Sequence, residues 1–152
     1  TLSSSSAASD VYKRQVEGQV QTYFKYALCI IRDNRLLVLE ESGQPFYLLP
    51  GGRPEVGENW LGTLSRELKE ELGVTLDTAS LRHLGAFEDI AAGEDNARVH
   101  VELYQGDFSG EMKPGSEVKR LVWFARDDDW ARLAPVTRNK ILPALLQLGL
   151  LT

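Results

Sequence analysis

The segment LPGGRPEVGENWLGTLSRELKEELGV, residues 49–74, constrains the possible folds more than any other part of the chain. Its leucines recur at a spacing that puts them on one face of a helix, which predicts a helix over residues 58–72 ending at Gly73. The core-facing positions are Leu61, Leu64, Leu68 and Leu72. Beside this face, within an arc of about 100°, lie three carboxylates: Glu67, Glu70 and Glu71.

The clustered carboxylates predict bound cations. Like charges three or four residues apart on a helix repel by a few tenths of a kcal/mol per pair, and a cation among them offsets that cost. Mg²⁺ takes oxygen ligands from a few carboxylates, from water and from substrate phosphates. The turn at Gly51 and Gly52 lets main-chain atoms approach a ligand closely. The alternative interpretation is an ordinary solvated helix face, which is common for sequences rich in Glu, Lys and Arg.

The complete spacing resembles the Nudix box. The pattern G-x5-E-x7-R-E-L-x-E-E-x-G-V runs without exception from Gly52 to Val74. The chain therefore resembles the Nudix hydrolase family in this motif, and in its order of strands and loops over about residues 20–148. The resemblance implies an α/β fold, a Nudix-type α/β/α sandwich with a mixed β-sheet, in which the box forms a loop–helix–loop.

The same resemblance implies an activity and a set of site residues. The activity is hydrolysis of a nucleoside diphosphate linked to another group, with Mg²⁺ or Mn²⁺ as cofactor. Arg66 resembles the residue that orients Glu67, and Glu58 resembles the acid near the start of the box, with a supporting role. Arg53 and Glu58 are candidate substrate contacts. The metal ligands implied are the Gly51 carbonyl, Glu67, Glu70 and Glu71.

The general base that accepts the proton of the attacking water stays open between two residues. In some Nudix enzymes this base lies in the box, and in others it lies on a later loop, which makes Glu67 and Glu117 the catalytic candidates here. Glu117 follows a Gly- and Pro-containing loop that could close over bound substrate. Glu102 and Glu111 are weaker candidates.

Outside the box, the chain alternates between strand-like and turn-like segments. Aromatic and β-branched runs predict strands over residues 22–31, 35–40, 46–50, 80–90, 97–108 and 119–125. Residues 137–149 predict a terminal helix with Pro143 in or near its first turns. We expect one domain over residues 16–152, a mixed sheet with helices on its faces. Residues 1–15 are Ser-rich with almost no apolar pattern, and we expect a disordered or non-native leader.

Composition limits the partners. The net charge of −5 does not attract nucleic-acid backbones or anionic membranes, so we expect neither a nucleic acid polymer nor a membrane as partner. Cys29, the single cysteine, lies in an apolar run and predicts a buried thiol in a chain from a reducing compartment, hence a cytoplasmic protein. His83 and His100 are too few and too far apart in sequence for a recognisable metal site. We expect a monomer or a homodimer.

The substrate prediction comes by elimination. The region FEDIAAG, residues 87–93, lacks the proline that often marks ADP-ribose pyrophosphatases, and the tyrosine frequent in dinucleoside polyphosphate hydrolases is also missing. The sequence therefore favours a small nucleotide, a (d)NTP or oxidised (d)NTP, cut to the monophosphate and pyrophosphate. The alternatives are a nucleotide-sugar, ADP-ribose or dinucleotide pyrophosphatase and a non-hydrolytic nucleotide-binding module. An isoprenoid diphosphate isomerase is disfavoured, because Cys29 lies in an apolar strand.

Overall fold

The computed structural model describes residues 20–152. The expected leader at residues 1–15 lies outside the described residues, so that expectation stays a prediction. The strands and α-helices follow in this order: β1 (Gln21–Leu28), β2 (Ile31–Arg32), β3 (Arg35–Glu41), β4 (Gly51–Gly52), α1 (Trp60–Leu72), β5 (Thr75–Leu76), β6 (Arg82–Ile90), β7 (Ala97–Gln105), β8 (Phe108–Ser109), β9 (Val118–Phe124) and α2 (Leu142–Gln147). Short 3₁₀ turns at Thr78–Ser80 and Trp130–Arg132 and a π-helical turn at Thr137–Ile141 complete the order.

A mixed four-stranded sheet, in the order β4-β1-β7-β6, forms the centre of the fold. β1 pairs with β7 in parallel, whereas β4 and β6 pair with their neighbours in antiparallel fashion. A second sheet, β2-β3-β9, is antiparallel throughout, and β5 and β8 form a small separate pair.

Each face of the four-stranded sheet packs against a helix. Because side chains alternate along a strand, Ala27 of β1 lies in one apolar cluster and Leu28 in another. Leu64, Leu68 and Leu72 of α1 pack into the cluster of Leu28, whereas Leu61, predicted to face the core, is only partly buried and lies outside it. Leu142 and Leu145 of α2 pack into the cluster of Ala27. This layering confirms the predicted α/β/α sandwich with a mixed sheet.

Helix α1 has clear signals at both ends. The Asn59 side chain accepts a hydrogen bond from the Gly62 amide at 2.8 Å and so caps the first turn. Gly73 ends the helix in the left-handed conformation, with φ 72°. The helix begins two residues later than the expected residue 58, because Asn59 serves as the cap.

Four predicted elements differ in the structure. The predicted strand 22–31 is divided into β1 and β2, and the predicted strand 97–108 into β7 and β8, with the second part of each in another sheet. Residues 46–50 make isolated bridges, Leu39 with Leu48 and Tyr47 with Leu133, in place of a strand, and regular pairing starts only at Gly51. The terminal helix opens with a π-helical turn in which the Leu142 amide reaches Thr137 O. Pro143 follows directly and has no amide of its own to donate, which weakens regular α-helical bonding at this point.

Cys29 is buried, as predicted, and burial raises the pKa of its thiol to about 12. Such a thiol is unreactive at neutral pH. No helix among the described residues combines the length and apolar character needed to cross a bilayer.

Candidate active site

The glycine pair at the entry to the box lies on the edge of the four-stranded sheet. Gly51 is directly opposite Ala27 of β1, and the Leu28 amide donates to Pro50 O at 2.9 Å. Since hydrogen-bonded and non-bonded pairs alternate in an antiparallel ladder, the amide and carbonyl of Gly51 are left free of β1. The amide donates instead to Glu71 Oε1 at 2.9 Å. The Gly51 carbonyl is therefore also available for another partner, as the metal-ligand prediction requires.

Both glycines are required by close contacts. A Cβ at Gly51, where φ is 138°, would lie 2.0 Å from the main-chain oxygen of Tyr26. A Cβ at Gly52 would lie 2.1 Å from Oε2 of Glu67. The glycines thus let α1 bring its carboxylates directly against the edge strand.

Glu71 is the most buried carboxylate of the site, with 8% of its surface exposed. Burial raises its pKa to about 9, although the Gly51 amide and the charge of Lys25 favour the ionised form. The neighbouring carboxylates of Glu41 and Glu67 raise the pKa further. Burial of Glu71 thus disfavours its ionised form more than the nearby amide and positive charge favour it.

Glu67 lies beside it and is partly buried. Burial raises its pKa, against the opposing effect of Arg66, whose Nη1 donates to Glu67 Oε2 at 3.1 Å. Lys25 lowers the pKa of this carboxylate as well. Glu67 and Glu71 are thus held close together in a region where burial works against their charge.

Arg66 connects most of the acidic residues of the box. Its Nε and Nη2 donate to the two oxygens of Glu58 at 2.7 and 3.0 Å, and its Nη1 also donates to Glu70 at 3.2 Å. These bonds lower the pKa of Glu58 to about 2. The Thr63 hydroxyl and the Glu55 amide donate to Glu58 as well.

Because both oxygens of Glu58 have protein partners, its geometry favours a supporting role over a substrate contact. Arg66 in turn is placed to orient Glu67.

The donor set fits a hard divalent cation. Among residues 20–152, no group of three or more His, Cys, Asp or Glu side chains is already in a geometry that would coordinate a metal ion. In this arrangement Glu67 and Glu70 bond to Arg66, and Glu71 bonds to the Gly51 amide. Glu67 and Glu71, whose pKa values are raised, lie near the Gly51 carbonyl, which does not bond to β1. A bound cation would neutralise the negative charge of these carboxylates and take oxygen ligands from them.

These carboxylates line one side of a cavity of about 450 Å³. Its polar lining includes Lys25, Glu41, Arg53, Glu67 and Glu71. The rest is mainly aliphatic, from β7, the segment 90–92 and the segment 134–136, and the described lining contains no aromatic side chain. The cavity can therefore take a molecule with a charged part and a less polar part.

The structure brings some predicted residues together and separates others. Gly51, Arg53, Glu67 and Glu71 line the cavity, whereas Glu70 and Glu117 are not in its lining. Glu70 is exposed and bonds to Arg66.

The loop before Glu117 is hydrogen-bonded to the C-terminal end of α1. Its Lys113 and Gly115 amides donate to Leu72 O and Glu71 O at the end of α1, at 2.9 and 2.8 Å. Closure of this loop over bound substrate stays a prediction. The role of Glu117 as general base stays a prediction.

Sequence reasoning missed Lys25, Glu41 and Glu94 as cavity residues. For Lys25 a signal existed: it is the one charged residue in the strand-like run TYFKYALCII. The two histidines, far apart in sequence, lie on the neighbouring strands β6 and β7. Nε2 of His83 donates to Oε1 of Glu102 at 2.6 Å, and Nε2 of His100 donates to Oε2 of the same carboxylate.

Comparison with known proteins gives a consistent result. A family profile described as NUDIX domain matches residues 22–145. An ADP-ribose pyrophosphatase of Methanocaldococcus jannaschii is 30% identical over 98 residues, 62% of this chain and 57% of that protein. An uncharacterized Nudix hydrolase of Bacillus subtilis, YvcI, is 25% identical over 104 residues, 66% of this chain and 65% of that protein. The chain thus spans less than two thirds of the length of these curated relatives.

A solved structure shows the same arrangement over a larger share. The MutT NUDIX hydrolase from Burkholderia pseudomallei is 29% identical and superimposes with a TM-score of 0.67. The match covers 84% of this chain and 98% of that one.

Proposed function

Since this chain belongs to the Nudix hydrolase family, we propose that it cleaves a pyrophosphate bond in a nucleoside diphosphate linked to a further group, with a divalent cation. The observation that carries the proposal is the pair of the buried Glu71 and the partly buried Glu67, packed against the Gly51–Gly52 turn at the polar side of a cavity. Carboxylates in such a position are costly for a fold and useful for holding a metal ion beside phosphates.

The residues of the box divide the work of the reaction. Glu67, Glu70, Glu71 and the Gly51 carbonyl would hold the cation. When bound, it supplies charge neutralisation at the phosphate oxygens and a lowered pKa for a bound water. Arg66 fixes the orientation of Glu67, and Glu58 fixes Arg66. Lys25 adds a positive charge at the cavity wall, where it can approach a phosphate oxygen.

The proposed substrate is a (d)NTP or oxidised (d)NTP, cut to the monophosphate and pyrophosphate. The division of the cavity into a charged and an aliphatic part supports a molecule with one phosphate chain and one nucleoside. In that pose the nucleobase packs on aliphatic side chains, such as those of Val99 and Val136, in place of an aromatic platform.

ADP-ribose is the second candidate. It is favoured by the relative from Methanocaldococcus jannaschii, which is described as an ADP-ribose pyrophosphatase. The two candidates differ in their products, because ADP-ribose gives AMP and ribose 5-phosphate, with no inorganic pyrophosphate.

A nucleotide panel tests the proposal. The purified protein is incubated with (d)NTPs, oxidised (d)NTPs, ADP-ribose, nucleotide sugars and dinucleotides, with Mg²⁺ or Mn²⁺, and the products are separated by ion-exchange chromatography. We expect hydrolysis that EDTA abolishes and added Mg²⁺ restores. Glu71→Gln should lose activity, whereas the control Asp127→Asn, which removes a carboxylate charge from an exposed residue outside the cavity lining, should keep it. Full turnover in EDTA, or no turnover of any panel member, would contradict the proposal.

A further inference from the structure

Arg53, the residue directly after the glycine pair, is held between a ring and a carboxylate. Its guanidinium carbon lies 3.8 Å from the centroid of the Tyr23 ring. Its Nη2 donates to Oε1 of Glu94 at 2.9 Å. Glu94 belongs to the loop between β6 and β7, so this contact joins that loop to the entry of the box.

The contact lies at the cavity that holds the carboxylates. Arg53 and Glu94 both line it, together with Gly93 of the same loop. Tyr23 lies on β1 two residues before Lys25, hence on the same face of the strand, and Lys25 also lines the cavity. Arg53 is therefore a cation at the cavity wall that already contacts both Tyr23 and Glu94.

The two partners of Arg53 act differently. Stacking on the ring holds the plane of the guanidinium without using its N–H groups. The ion pair uses a donor but is weak, because the side chains of Arg53 and Glu94 are 54% and 39% exposed. A phosphate offers more negative charge and more acceptor oxygens than one carboxylate, and arginine binds it through paired hydrogen bonds.

We propose that Glu94 is an internal competitor for Arg53, and that a substrate phosphate displaces it while Tyr23 keeps the guanidinium in place. This rests on the proposed function. Glu94 thereby makes binding selective: a ligand with a phosphate that reaches Arg53 takes over the ion pair, and a ligand without one does not. Tyr23 and Arg53 position the phosphate, and Glu94 sets the affinity.

Steady-state kinetics on Glu94→Gln test the exchange. Loss of the competing charge should lower KM about two- to fivefold, the range of an exposed ion pair, and leave kcat unchanged. Arg53→Gln should raise KM about tenfold, the scale of a hydrogen bond to a charged group. Asp95→Asn is the matched control, since it removes the same charge from the neighbouring position of the loop; KM should then change by less than Glu94→Gln changes it.

The double variant decides between direct competition and general repulsion. In an Arg53→Gln background, Glu94→Gln should no longer lower KM, because the guanidinium for which Glu94 competes with the phosphate is absent. If it lowers KM equally in both backgrounds, or if Asp95→Asn has the same effect as Glu94→Gln, Glu94 acts only through its charge and the proposal is overturned. A higher KM for Glu94→Gln alone would also overturn it, because Glu94 would then be helping Arg53 to bind.

An equilibrium titration separates this inference from the proposed function. Binding of inorganic tripolyphosphate, measured by calorimetry, should be tighter for Glu94→Gln than for the wild type, and equal for the two when Arg53 is replaced. If the nucleotide panel fails but this pattern is found, the hydrolytic function is wrong and the exchange stands. If the panel succeeds and the affinities of wild type and Glu94→Gln are equal, the exchange is wrong and the function stands.

Discussion

Replacing each glycine of the Gly51–Gly52 pair by alanine should separate stability from catalysis. Both substitutions add one methyl group at adjacent positions. In Gly52→Ala the new Cβ would lie 2.1 Å from Oε2 and 2.4 Å from Cδ of Glu67, atoms at the far end of a side chain that can rotate if its bond to Arg66 breaks. In Gly51→Ala it would lie 2.0 Å from the main-chain oxygen of Tyr26 and 2.7 Å from the Cα of Ala27, with φ at 138°.

The distances set the expected magnitudes. Ordinary contact begins at 3.4 Å, so the Glu67 carboxylate must move by about 1.3 Å to accept the methyl group of Gly52→Ala. A misplacement of about 1 Å at a reacting group can cost roughly 10²-fold in rate, whereas rotating one side chain changes the free energy of unfolding by less than about 1 kcal/mol. Gly51→Ala has no such escape, because strand β1 or the turn must move. Backbone strain and overpacking together should cost about 3 kcal/mol or more.

Urea unfolding and kcat at saturating Mg²⁺ measure the two effects. We expect Gly52→Ala to unfold near the wild-type midpoint with kcat lowered about 10²-fold. Gly51→Ala should unfold at a clearly lower urea concentration. The reasoning is refuted if Gly52→Ala keeps wild-type kcat, since Glu67 would then not need its present position. It is refuted equally if the two variants lose the same stability.

Three further predictions concern other groups. Glu70→Gln should change the free energy of unfolding, measured with urea, by less than about 0.5 kcal/mol, since its ion pair is exposed. It should lower kcat at least about 10²-fold. An unchanged kcat would show that Glu70 does not belong to the site. Of the two candidate bases, we expect Glu67: Glu67→Gln should lower kcat by roughly 10²- to 10⁴-fold and flatten the acidic limb of the pH–rate profile. Glu117→Gln should change neither, because Glu117 lies outside the cavity lining. The reverse result would identify Glu117 as the base. The hydrogen bonds that His100 donates to Glu102 and Glu88 raise its pKa above 6.5. Burial raises the pKa of Glu102, but the hydrogen bonds donated by His100 and His83 outweigh it and lower that pKa below 4.5. The stabilisation that protonated His100 gives the fold is complete below pH 6.5 and is lost as pH rises through its higher folded pKa. The stabilisation from ionised Glu102 is lost as pH falls through its lowered pKa. In thermal unfolding, the Tm of His100→Gln should therefore fall less above pH 6.5 than the Tm of the wild type.

Features within one element could be read from the sequence. Periodicity fixes which side of α1 carries Leu64 and which carries Glu67, and Gly73 marks its end, because these depend only on residues a few positions apart. The Nudix box is such a local pattern, which is why the fold and the carboxylate cluster could be predicted together.

Contacts between distant segments could not be read in this way. The pairing of Arg53 with Glu94 depends on how the loop between β6 and β7 meets the box entry, 41 positions along the chain. The meeting of His83 and His100 at Glu102 depends on the register of β6 and β7, which no property of either strand alone specifies. Strand boundaries at residues 46–50 failed for the same reason, since the bridges there depend on residues from β3 and from the segment around Leu133.

The contact of Gly115 with the end of α1 has a consequence for engineering. A Cβ at this position would lie 1.8 Å from the carbonyl oxygen of Glu70. Surface loops usually tolerate insertions, tags and new chain termini, but here the loop is seated on the same helical turn that carries Glu70 and Glu71. Any lengthening of residues 113–115 would be transmitted to those glutamates through the main chain. Libraries that vary this protein should therefore leave residues 113–115 unchanged.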